Sequence, residues 1–126
     1  MKDTLRLSGV MLFCVLFAGC GNILGLFCTV DAAATPSNAM ADHTAAPPGN
    51  QVQFSVISQT SGACACSLVV TAASWTTSDP VNTAISNQAP TQGLATCLNA
   101  TPSPATITYT GTFCGHQFTP ATLTCK

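Results

Sequence analysis

From Thr29 onward the chain breaks into short stretches of alternating character. Turn signals separate them roughly every 8–12 residues, and none has helical periodicity. That spacing is the strongest constraint in the sequence. Successive side chains of a strand point to opposite faces, so Gln51-Val52-Gln53-Phe54-Ser55-Val56 presents Val52, Phe54 and Val56 on one side. Extended pieces are expected over residues 29–37, broken by Pro36, and over residues 38–45, 51–56, 68–78, 83–86, 94–98, 105–110 and 121–125. Pro47-Pro48-Gly49-Asn50 and Thr101-Pro102-Ser103-Pro104 read as turns, and residues 58–67 and 111–117 as loops. About seven short antiparallel strands of this kind point to an all-β, two-sheet sandwich.

The only tryptophan lies in the strand Ala72-Ala73-Ser74-Trp75-Thr76-Thr77-Ser78. Thr and Trp suit a pleated, half-buried surface. Pro80 cannot donate to a ladder, so the strand should stop near Asp79, which is most simply a turn former. The indole is expected to fill the middle of the core, with Phe54, Val52, Val56, Ile107 and Leu123 around it. The other reading of Trp75 is a sugar-stacking platform.

Only 6% of the 126 residues are charged. The acids are Asp3, Asp31, Asp42 and Asp79, and the bases are Lys2, Arg6 and Lys126. With no basic patch, nucleic acid is not an expected partner. The surface must be built from Thr, Ser, Asn and Gln, which suits an exported β-protein. Export also fits the eight cysteines, a number that favours disulfides outside the cytosol.

The N-terminus reads as an export segment. Lys2 and Arg6 precede the apolar run Val10-Met11-Leu12-Phe13-Cys14-Val15-Leu16-Phe17-Ala18, which ends in Gly19-Cys20. Leu16-Phe17-Ala18-Gly19-Cys20 looks like a bacterial lipobox, with Phe17 in place of the usual aliphatic residue. On that reading residues 1–19 are a lipoprotein-type signal peptide, Cys20 is lipidated, residues 20–28 are a tether and residues 29–126 form the domain. Two alternatives stay open. Residues 7–30 are long enough for one membrane-spanning anchor helix, although Gly19, Gly21, Asn22 and Gly25 interrupt it. A simple signal peptide cut after Ala34 would release the domain instead.

Several stretches together resemble a known family. They are Ala33-Ala34-Thr35-Pro36-Ser37-Asn38-Ala39, Pro48-Gly49-Asn50-Gln51-Val52-Gln53-Phe54, Trp75-Thr76-Thr77-Ser78-Asp79-Pro80, Gly93-Leu94-Ala95-Thr96, Pro104-Ala105-Thr106-Ile107-Thr108 and Ala121-Thr122-Leu123-Thr124. In order and spacing they resemble bacterial immunoglobulin-like domains of group 2, the type found in intimin and invasin-like surface proteins. The resemblance spans residues 29–126 and implies an immunoglobulin-like Greek-key β-sandwich. The cysteines depart from that pattern, which generally lacks them. The implied strand order puts Cys97 and Cys125 at one end, where they are expected to bond. It puts Cys28, Cys64, Cys66 and Cys114 at the other, with Cys114 bonded to Cys64 or Cys66 and Cys28 taking the one left. Cys14, in the apolar run, is not expected to form a structural bond.

Candidate chemistry is sparse. Cys64, Cys66, Cys114 and His116 are the right residue types for a tetrahedral zinc or copper site, but their spacings are tighter than common zinc motifs. Cys114 and His116 have neither an orienting third group nor an oxyanion motif beside them, which argues against a nucleophile. His43 beside Asp42 reads as a solvated pair. Asn99-Ala100-Thr101 fits the N-glycosylation pattern but in a bacterial protein reads as loop composition. The expectation is a non-catalytic, cofactor-free module, tethered to the membrane in the cell envelope (periplasm or cell surface), structural or adhesive, with envelope proteins, surface proteins or glycans as partners. The alternative is a glycan- or metal-binding module that uses the Cys-rich end loops; aromatic residues exposed there would favour it, and Phe113 and Phe118 are the ones available, either of which could instead be core.

Overall fold

The structure is a computed structural model that describes residues 29–62 and 68–126, with residues 68–73 considered through their main chain alone. The expected N-terminal helix therefore lies outside the described residues. The chain divides into two units, Met1–Thr29 with Thr60–Ala65, and Val30–Gln59 with Cys66–Lys126. Of the first, the described part includes a hydrogen bond between the hydroxyls of Thr29 and Ser61.

The described residues are all-β. Ten strands follow in order: β1 (Thr29–Thr35), β2 (Asn38–Ala41), β3 (Gln51–Gln53), β4 (Ser55–Ser61), β5 (Leu68–Thr77), β6 (Thr83–Ile85), β7 (Leu94–Cys97), β8 (Ala105–Phe113), β9 (His116–Gln117) and β10 (Ala121–Cys125). Three are continuations: β2 follows β1 across Pro36, β4 follows β3 across Phe54, and β10 follows β9 across Phe118-Thr119-Pro120. That leaves the seven strands expected.

One sheet has the order β2-β10-β8-β5, with β9 also on β8; another has the order β3-β7-β6; β1 pairs with β4. β2 runs parallel to β10, whereas β8 is antiparallel to both β10 and β5. Residues of the first two sheets share one core, consistent with a β-sandwich. Trp75, Ile107, Ala121, Leu123 and Ala41 enter it from one side and Ala95 and Cys97 from the other, with Ala34 from β1 and Phe54 from between β3 and β4. Burying side chains such as Ile107 and Leu123 contributes about 1.5–3 kcal/mol each.

Expected and observed elements differ at four places. The extended piece expected over residues 38–45 is strand only as far as Ala41, and the chain turns at residues 43–44. The alternating run 51–56 is split at Phe54, because β3 pairs with β7 whereas β4 pairs with β1. Phe54 is buried as expected, while Val52 and Val56 pack on the core only half-buried. The loop expected from residue 58 is strand as far as Ser61. The loop expected over 111–117 is a hairpin, in which β8 runs on to Phe113 and β9 returns from His116. Its turn is Cys114-Gly115, both at positive φ (54° and 78°), a conformation that Gly supplies at no steric cost.

β5 is an edge strand, and its open edge is covered at the tryptophan. The Asn87 carboxamide accepts from the Trp75 N–H at 2.6 Å and donates to the Trp75 carbonyl at 3.0 Å. One side chain thus takes the place of a neighbouring strand. Beyond the end of β5, hydroxyls close a ring. The Asp79 N–H donates to Thr77 Oγ1 (3.2 Å), the Thr77 hydroxyl lies 2.6 Å from that of Thr83, and the Thr83 hydroxyl donates back to the Asp79 carbonyl (2.7 Å). Asp79 also receives Asn82 through both carboxylate oxygens, so the expected turn former holds its turn by side-chain bonds. This ring satisfies Thr83, the buried polar residue of the core.

The outward face of the larger sheet is a field of hydroxyls. Register sets Ser74 opposite Thr110 and Thr76 opposite Thr108. It sets Thr122 between Asn38 and Thr106, and Thr124 beside Met40.

Gly93 is the position where the fold leaves no room for a side chain. Its φ is +81°, and a Cβ there would come 2.3 Å from the Phe54 carbonyl oxygen and 3.1 Å from Trp75 Nε1. Its own carbonyl accepts the Phe54 N–H at 2.8 Å. Gly93→Ala is expected to cost about 2–5 kcal/mol, the left-handed backbone and the overpacking adding together. Urea melts followed through the fluorescence of Trp75 measure it, and a loss under 1 kcal/mol would contradict this close approach.

Candidate functional site

The sulfur chemistry anticipated at one end of the strands is present. Cys97 ends β7 and Cys125 ends β10, and the two form a disulfide with Cα atoms 5.6 Å apart. The bond joins the two sheets through residues buried in their shared core. Around it the main chain is closely bonded: the Cys97 N–H donates to the Asn50 carbonyl, and the Cys125 N–H donates to the Thr101 hydroxyl. Thr101, the hydroxyl residue of the Asn99-Ala100-Thr101 pattern, is thus engaged at this end.

At the other end of β8, Cys114 is also disulfide-bonded. The cysteines expected to share that end, Cys28, Cys64 and Cys66, lie outside the described residues, as do Cys14 and the expected lipid site Cys20. A sulfur held in a disulfide is not a thiolate ligand, which takes Cys114 out of the zinc or copper set. His116 sits exposed on β9, and no group of three or more His, Cys, Asp or Glu that could hold a metal occurs among the described residues. Phe113 and Phe118, the aromatics whose exposure would favour a ligand-binding end, are buried.

The pair His43 and Asp42 is not simply solvated. His43 Nδ1 donates to the Lys126 main-chain oxygen, and the His43 N–H donates to the same residue at 2.9 Å. Asp42 turns instead to Thr44, whose hydroxyl (2.7 Å) and backbone N–H (2.9 Å) hold its carboxyl below the usual carboxylate range.

A cleft of about 320 Å³ lies along β8, lined by Thr108, Tyr109, Thr110, Gly111, Thr112, Gln117 and Phe118. Its origin is a gap in strand pairing. β10 covers β8 over residues 105–107 and β9 covers it over residues 112–113, and among the described residues no strand lies opposite residues 108–111 on that side. The chain leaves β8 here because Thr119 bonds elsewhere: its N–H donates to the Ala32 carbonyl and its own carbonyl accepts from the Ala34 N–H. Pro120 follows and has no N–H to donate.

The cleft has an aromatic floor. Tyr109 stands 4.9 Å from Trp75 in a tilted pair and 5.1 Å from Phe118 edge to face, and Trp75 in turn meets Phe54 at 6.3 Å. Tyr109 is half-buried, whereas Trp75 is only 4% exposed, so the tryptophan is core and not a platform. Sequence reading missed Tyr109, Gly111 and Gln117 as a group. Three signals were there to be read: the single tyrosine, the glycine inside an alternating Thr run, and the Thr-Pro pair at 119–120.

Among the described residues no helix is long and apolar enough to cross a membrane. Comparison with family models, with curated proteins and with solved structures gives no match.

Replacing Cys97 and Cys125 together by Ala is expected to lower the unfolding free energy by about 3–4 kcal/mol, as the cross-link spans 28 residues. Denaturant titration of the double variant against the parent measures the difference. An unchanged midpoint would show that the two sheets hold without the bond.

Proposed function

We propose that the chain is a non-catalytic, immunoglobulin-like module of the bacterial cell envelope, held to the membrane by its N-terminus and serving a structural or adhesive role. The observation that carries the reading is the strand order. In the constant-type immunoglobulin sandwich, strands A, B, E and D make one sheet and C, F and G the other. Taking β1 as A, β3 with β4 as B, β5 as C, β6 as D, β7 as E, β8 as F and β9 with β10 as G gives that arrangement. β2 is then the part of the first strand that crosses to run parallel with the last. A buried tryptophan on strand C is a further hallmark of the fold, and Trp75 on β5 stands there.

The order of strands speaks to architecture; fold alone does not give function. The functional part rests on the export-type N-terminus with Cys20, the disulfides, and a surface of hydroxyls and amides with few charges. This is the make-up of a module that works in an oxidising compartment as a spacer or contact surface.

Metabolic labelling with a radioactive fatty acid in a bacterial host tests the tether. The parent chain is expected to take up label and to sediment with membranes, and Cys20→Ala is expected to lose the label. Membrane retention without label in both chains would point to the uncleaved anchor. Recovery of both in the soluble export fraction would mean that no tether exists.

A further inference from the structure

We propose that the cleft along β8 is a binding site for a neutral carbohydrate residue. This rests on the reading of the chain as an exported, adhesive module and names the ligand class that module would hold.

Three features converge there. The first is exposed main chain. The Thr106 N–H donates to Ser78 Oγ and its carbonyl accepts from the Ser78 N–H, so Thr106 turns its main chain toward the β5 side. By strand alternation Tyr109 turns its N–H and carbonyl to the opposite side, into the stretch that neither β9 nor β10 covers. A donor and an acceptor are thereby set side by side at fixed spacing, the pairing that vicinal hydroxyls of a sugar satisfy.

The second is a rigid, half-exposed aromatic ring. Tyr109 is wedged against Trp75 and Phe118, so little side-chain freedom remains to be lost when a ligand lies on it. Its ring offers an apolar surface to the C–H face of a pyranose, and its hydroxyl adds a polar tip. Gly111 keeps this space open. A Cβ there would stand 3.2 Å from Tyr109 Cε1, and the φ of +155° disfavours a side chain in any case.

The third is the rim. Thr108, Thr112 and Gln117 make no side-chain hydrogen bond among the described residues, whereas the Thr110 hydroxyl is engaged with Ser74. Among the described residues no Asp, Glu, Lys, Arg or His lines the cleft. An anionic or cationic ligand would find no counter-charge, but a neutral polyol finds donors and acceptors around an apolar floor. The volume is at the lower end of ordinary ligand sites, suited to one or two sugar units.

The test uses the full chain purified in detergent, applied to an array of neutral and anionic glycans. Hits are titrated by the fluorescence of Trp75, which lies within ring contact of Tyr109 and reports on it. Saturable binding of neutral glycans is expected. Thr108→Val with Thr112→Val, which keep shape and remove hydroxyls, should weaken it several-fold, as should Gln117→Ala at an exposed position. Tyr109→Ala should weaken it by at least about tenfold. Because Tyr109 also touches the core, its variant is compared only if its thermal melt remains cooperative; the three rim substitutions carry the test otherwise. Absence of any neutral glycan on the array overturns the proposal, as does binding that the rim variants leave unchanged or that only anionic glycans show. Binding that survives the rim variants would leave the adhesive reading standing and move the site elsewhere. A failure of fatty-acid labelling at Cys20 would leave the glycan result untouched.

Discussion

The burial of one indole organises this molecule. Trp75 touches Phe54 and Tyr109, Tyr109 touches Phe118, and the four rings form a spine across the sheets. Its position is fixed from the main chain as well. Asn87 clasps the Trp75 peptide groups on the open edge of β5, and Gly93 gives way so that the Phe54 carbonyl can pass close by. Loss of a buried Trp side chain typically costs about 3–5 kcal/mol, a third or more of what a small domain has. Core, edge protection and cleft floor are therefore parts of one arrangement.

Around that spine the core is built from small residues: Ala34, Ala41, Ala95, Ala105 and Ala121 are all buried. Alanines bury little surface apiece, so the sheets approach closely without gaining much hydrophobic free energy. Two other devices make up the difference. The Cys97–Cys125 bond ties the sheets covalently, and the Thr77-Thr83-Asp79 network satisfies the buried Thr83 hydroxyl. Small domains commonly substitute cross-links for core in this way.

Much of the strand pattern was legible because alternation is a local property. Trp75, Phe54, Ile107 and Leu123 announce their burial by size and spacing, and the all-β class follows from their period of two. The meeting of Cys97 with Cys125 needed more: a strand order, which the family resemblance supplied. What escaped was whatever depends on a strand changing partner. Phe54 divides β3 from β4 because the neighbour changes there, and Thr119 leaves β8 because β1 competes for it. Neither choice is written in the alternation of its own segment. The cleft was invisible for the same reason, since it is the space left by Thr119. His116 and Gln117 read as loop because a two-residue strand is too short to show a period.

The outward rows of Ser74, Thr76, Thr106, Thr108, Thr110, Thr122 and Thr124 have a consequence for the medium the protein can tolerate. Their hydroxyls neither gain nor lose protons at any ordinary acidity, and they carry no ion atmosphere for dissolved electrolyte to compress. Water is held there by neutral groups alone. The charge of that face is therefore the same in brine and in acid.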